Sequence, residues 1–169
     1  MILKSRKNRR FLIAAVIWMV VIFCFSARPG PDSSKDSSRV GRLILTIVKP
    51  GFRSLPPEEQ YAMAAAISHP VRKAAHATEY AILGILYFGT LYRERRETCS
   101  GRAESLRIAL LSWVLAVCYA ASDEIHQYFV PDRACALSDV FIDGAGALGG
   151  VLLFVLIVQA RRRIGQKKG

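Results

Sequence analysis

Long apolar runs alternate with short polar stretches along this chain. Four segments are predicted to cross a bilayer as helices: Phe11–Ala27, Ala74–Tyr92, Leu106–Ala121 and Leu137–Ala160. A hydrocarbon core of about 30 Å takes roughly 17–25 residues at the helical rise of about 1.5 Å per residue. The third segment is expected to continue as helix past Ser122. The second and fourth contain charged residues, which is also how a site inside a membrane protein would look. The pattern predicts an all-α, polytopic membrane protein with four transmembrane helices in a single domain, residues 1–169.

Residues 28–73 form the long connection between the first two segments. "RPGPDSSKDSS" is rich in Pro, Gly and Ser and predicts a loop. Val40, Leu43, Ile44, Ile47 and Val48 then recur at i, i+3, i+4, i+7 and i+8, with Arg39, Arg42 and Lys49 elsewhere on the wheel. This predicts a short amphipathic helix, either lying in the lipid interface or packed on the domain itself. Pro50–Gly51 ends it, and Pro56–Pro57–Glu58–Glu59 opens a second short helix with acids in its first turn. His69, just before Pro70, reads as a loop residue at that helix's end.

Charge sets the orientation. Lys and Arg number 24 against 13 Asp and Glu, a balance that in a soluble chain would suggest nucleic acid. Here the basic residues cluster at "KSRKNRR", "RERRE" and "RRRIGQKK" with apolar segments between, and no nucleic-acid-binding motif accompanies them. The N-terminus (residues 1–10), the 93–107 connection and the tail (161–169) hold five basic residues each, against nine on the other side. The positive-inside rule therefore predicts both termini in the cytoplasm, with 28–73 outside. The first segment also has the charged and apolar regions of a signal peptide, with Ala27 as a cleavage point. Bulky Phe25 and the following Arg–Pro favour an uncleaved anchor. Cys24, Cys99, Cys118 and Cys135 have no metal-type spacing and suggest no disulfide framework.

On this topology the outer ends of three helices carry the unusual residues. The second segment brings Arg72, Lys73, His76, Glu79 and Tyr80, the third brings Asp123, Glu124, His126 and Gln127, and the fourth brings Asp139 and Asp143. Arg72, His76, Glu79 and Tyr80 share one helical face. Asp139, Asp143, Gly146 and Gly150 form a stripe, with Gly144 on another face, and small residues let membrane helices approach closely. Asp139 and Asp143 are therefore expected to face the bundle. Adjacent residues differ by about 100° on a helix. Asp123 is accordingly expected to face the second and fourth helices, and Glu124 to reach sideways toward Arg133 or a ligand, with Arg133 folded back over the cluster. Each residue also has a plainer reading: Asp139 favouring the helix dipole, Lys73 anchoring at the interface, and His126 facing water.

"RKAAHATEYAILGILYFG", "YAASDEIHQYFVPDR" and "SDVFIDGAGALGG", in that order and spacing, resemble the VanZ-like family of bacterial membrane proteins. The earlier "FSARPGPDSS" is similar to the family's first loop. The resemblance implies a multipass plasma-membrane protein connected with the cell envelope and with resistance to glycopeptides such as teicoplanin. It implies no established reaction, cofactor or metal. Asp143 stands where many members have Asn, and Asp132 where a Gly is common, so at 132 the turn matters more than the side chain.

Three classes of function follow. A small integral-membrane enzyme would use His76 as base, Asp123 or Glu124 as acid or metal ligand and Arg133 as phosphate clamp, with Glu79 beside His76. A binding protein would hold a lipid-linked or peptidoglycan-related envelope ligand on the same residues, with Arg72, Tyr80, Gln127, Arg133, Asp139 and Asp143 in contact. A structural protein would use the cluster only as an internal network.

Overall fold

The computed structural model describes residues 6–95 and 102–166 and is all-helical, with no strand among the described residues. Lys4, Arg96, Lys167 and Lys168 of the charge count, and Cys99, lie outside them. The helices are α1 (Arg6–Ser26), α2 (Gly30–Val48), α3 (Pro57–Ala66), α4 (Ser68–Arg95), α5 (Arg102–Gln127) and α6 (Leu137–Gln166), with a short 3-10 turn at Phe52–Ser54. Three are long and apolar enough to cross a membrane: α1 over Arg9–Ser26, α5 over Ala103–Gln127 and α6 over Leu137–Arg161. The helix of the third segment runs through Ser122 to Gln127, as its pattern predicts. α4 is 28 residues long, about 42 Å at the helical rise, but its first turns carry Arg72, Lys73, His76 and Glu79.

α4 is the hub, packing on α1, α2, α5 and α6. Its Tyr80 and Leu83 are fully buried with Ile22 of α1, Ala116 and Ala120 of α5 and Ala147 of α6. A second cluster, further along, joins Phe88 and Tyr92 to Ile108, Val151 and Val155. The outside is apolar too: Ile13, Val16, Ile17 and Val20 on α1, Leu110, Leu111 and Val114 on α5, and Leu152, Leu153 and Leu156 on α6 are exposed. A surface so continuously aliphatic suits hydrocarbon rather than water.

The glycine stripe explains the closeness of α4 and α6. An added Cβ at Gly146 would lie 2.1 Å from the carbonyl oxygen of Ala77, and at Gly150 2.0 Å from that of Ala81. Gly144 does not face open space: it is buried, a Cβ there would come 3.2 Å from Val117 of α5, and its carbonyl accepts the Trp113 indole N–H at 2.9 Å. Trp18 makes the corresponding bond from α1 to α4, donating to the Glu79 carbonyl at 2.8 Å.

Two expectations about residues 28–73 are corrected. "RPGPDSSKDSS" is helix from Gly30 onward. Pro31 falls in the first turn, where its missing N–H costs nothing. The hydroxyls of Ser34, Ser37 and Ser38 donate to the carbonyls four residues back instead of competing with the helix. Ion pairs Lys35–Asp32 and Arg39–Asp36 add local support. α2 packs through its small residues: Gly41 meets Ala64 and Ile67, while Val40, Leu43, Ile44, Ile47 and Val48 point outward. Second, His69 is not in a loop. It lies with Pro70 in the first turn of α4, where proline is tolerated.

α5 and α6 are joined by a turn over residues 128–136, in which Asp132 has φ 56°. This turn docks on the start of α2: Gly30 N–H donates to the Pro131 carbonyl at 3.1 Å, and a Cβ at Gly30 would lie 2.0 Å from the Asp132 carbonyl oxygen. Left-handed backbone favours glycine over aspartate. Asp132→Gly is therefore expected to stabilise the protein by about 0.5–1 kcal/mol, read as a raised midpoint in thermal unfolding. Asp132→Val should lower it.

Candidate binding site

The polar residues gather at one end of the bundle, where α1 and α5 end and α4 and α6 begin. A cavity of about 410 Å³ opens there, with Arg72, His76, Gln127, Arg133, Asp139 and Asp143 in its wall. His69 and Lys73 also line it. Three helices and the 128–136 turn thus contribute to one hollow.

The cationic side is held firmly. The Arg133 guanidinium folds back, donating to the carbonyls of Arg28 at 3.1 Å and Phe25 at 3.4 Å and to Gln127 Oε1 at 3.2 Å. It thereby ties the turn before α6 to the end of α1. Burial, and then the neighbouring Arg72 guanidinium, lower its pKa from the usual arginine value. Arg72 donates through one terminal nitrogen to Ser34 Oγ of α2, while its buried Nε has no protein acceptor. Lys73 pairs with Asp139 at 2.9 Å, joining α4 to α6, and Ser138 Oγ lies 3.2 Å from the same Asp139 oxygen. Asp139 thus accepts a cross-helix ion pair as well as lying in the first turn of α6.

Two acids near the end of α5 have structural partners. Asp123 is 4% exposed and accepts hydrogen bonds from Ser26 Oγ at 2.6 Å and Gln127 Nε2 at 3.2 Å. Its hydrogen bonds run to Ser26 at the end of α1 and along α5 to Gln127. Glu124, 3% exposed, accepts the backbone N–H of Ala136 at 2.9 Å. Arg133 makes its hydrogen bonds elsewhere. Glu124 secures the chain entering α6, where helix geometry alone would leave amide groups without acceptors. Neither acid lines the cavity. Ser26, fully buried, is the site residue that pattern reasoning passes over.

The remaining residues are placed around the cavity or deeper. His76 Nδ1 lies 4.0 Å from Glu79 Oε2, one helical turn along α4, and that Glu79 oxygen is buried without a hydrogen-bond partner. Tyr80 is fully buried behind them, its hydroxyl also unpartnered, with its ring 6.3 Å from Tyr119. Asp143 is 1% exposed, lines the cavity, and has no hydrogen-bond partner on either carboxylate oxygen. His126 belongs elsewhere: its ring stacks on Phe23 of α1 at 4.4 Å. No group of three His, Cys, Asp or Glu side chains is gathered closely enough to hold a metal ion among the described residues.

Fold and site together define an integral-membrane type of protein: a helical bundle with an apolar exterior and a polar hollow at one end. The VanZ/LLP1 family model matches residues 11–158, and the chain belongs to that family. No curated protein and no solved structure matches it.

Proposed function

We propose that this is a four-span protein of the bacterial plasma membrane whose hollow binds an anionic, lipid-linked ligand of the cell envelope. α4 is the fourth span on this reading. It crosses with its polar turns facing neighbouring helices, the placement that makes such residues tolerable in hydrocarbon. The excess of Lys and Arg at the termini and the 93–107 connection puts those parts in the cytoplasm and the hollow outside. A reporter after Gly169 should then be cytoplasmic and one inserted at the exposed Gly51 turn extracytoplasmic; a cytoplasmic signal at Gly51 overturns the placement.

The observation that carries the binding reading is the pair of arginines, Arg72 and Arg133, in the wall of one cavity. Arg72 raises the electrostatic cost of Arg133, and a phosphate or other anion relieves it with charge-assisted hydrogen bonds. An envelope ligand of this kind would also connect the protein with susceptibility to glycopeptides. The His76–Glu79 pair supports a second reading, acid–base chemistry on such a ligand, but Asp123 and Glu124 are committed to structural bonds. Binding is tested by titrating the detergent-solubilised full chain with short-chain phosphatidylglycerol. Wild type should be stabilised against heat, and Arg72→Gln about tenfold less responsive in ligand concentration, as expected for losing one charge-assisted contact. Equal responses, or none in wild type, reject the reading.

A further inference from the structure

Asp143 is the least explained residue in the hollow. It lies on α6 one turn beyond Asp139, is 1% exposed and is among the residues lining the cavity, and neither of its buried carboxylate oxygens has a hydrogen-bond partner. The cations of the same wall are engaged elsewhere: Lys73 on Asp139, Arg72 on Ser34, Arg133 on Gln127 and the end of α1. A buried carboxylate without a partner is costly and is retained where something completes it. The completing group must donate hydrogen bonds and carry positive charge, or supply a proton. The same cavity that presents Asp143 presents two guanidinium groups for an anion.

We propose that the ligand is a zwitterion: a phosphate or carboxylate held by Arg72 and Arg133, joined to a primary ammonium group that donates hydrogen bonds to Asp143. This rests on the reading of the hollow as an anion-binding site and adds a second, oppositely charged subsite. A phosphoethanolamine head group has this chemistry, whether on a lipid or free in solution. A quaternary ammonium does not, because it has no N–H to donate.

The test uses the full chain in detergent and compares short-chain lipids that share a glycerophosphodiester, with affinities read by native mass spectrometry. Phosphatidylethanolamine should bind wild type about tenfold more tightly than phosphatidylglycerol or phosphatidylcholine, the scale of one charge-assisted hydrogen bond. Asp143→Asn should bring the three within about twofold of one another, while Arg72→Gln weakens all of them. Free O-phosphoethanolamine identifies the source. If it displaces the lipid at comparable concentration, the ligand is soluble; if it does not, the acyl chains belong to it. Equal affinities in wild type, or an ethanolamine preference that survives in Asp143→Asn, overturn the zwitterion and leave the anion site standing. An Arg72→Gln variant that binds every lipid like wild type overturns both. Should Asp143→Asn fail to fold, the wild-type order of the three lipids still decides.

Discussion

Leucine at Gly146 or Gly150 is expected to abolish the folded bundle. The obstacle at each position is the backbone of α4, the Ala77 and Ala81 carbonyls about 2 Å from an added Cβ, not a side chain that can swing aside. Accommodating even alanine would push α4 and α6 apart along their whole contact and open the cluster around Tyr80, Leu83 and Ala147. Overpacking a core costs about 1–3 kcal/mol, and more where rigid elements must separate. That is a large part of a typical stability of roughly 5–15 kcal/mol. Gly149→Ala is the control, since a Cβ there meets nothing within 4 Å. Monodisperse yield in detergent should collapse for the two leucine variants and stay at the wild-type level for Gly149→Ala. Similar yields for all three would remove the close helix approach, and with it the inward orientation of Asp139 and Asp143.

Asp123→Ala should be the most damaging single change in the polar cluster. It strips the acceptor from the buried Ser26 hydroxyl, at about 1–3 kcal/mol for a group left unsatisfied, and takes one of two acceptors from the Gln127 amide, which also donates to Ser26 Oγ at 3.3 Å. Gln127 in turn holds Arg133, so the turn before α6 and the end of α1 should loosen too. Ser26→Ala removes one of these bonds and should cost less. A double-mutant cycle between Ser26→Ala and Asp123→Ala should show clear non-additivity, because the two groups share one contact. Glu124→Gln should be nearly neutral, since an amide oxygen still accepts the Ala136 N–H. A large loss of thermal stability from Glu124→Gln with little from Asp123→Ala would reverse the assignment.

What the sequence makes legible here is periodic. The apolar runs mark α1, α5 and α6, and the spacing of Gly146 and Gly150 marks the face of α6 that meets α4, because a helix repeats its faces at fixed intervals. The gathering of polar residues at one level is legible for a similar reason, as three helix ends each contribute some. What escapes is pairing between distant residues. Ser26 lies 97 positions before Asp123, and nothing in its neighbourhood announces a partner on α5. Glu124 is equally opaque, since its bond to Ala136 depends on how the 128–136 turn closes. The serines of α2 mislead through local chemistry: the hydroxyl that breaks a helix in one rotamer bonds back to it in another.

The chain has two tryptophans, and each donates its indole N–H to a backbone carbonyl of a different helix: Trp18 to Glu79 and Trp113 to Gly144. Each indole is therefore a built-in optical gauge for one seam, the first for α1 against α4 and the second for α5 against α6. Emission from a Trp113→Phe variant reports the first seam alone, and from a Trp18→Phe variant the second. Since Trp18 bonds the carbonyl of Glu79 itself, the first gauge is wired to the helix turn beneath the hollow, and occupancy of the hollow becomes readable without a label.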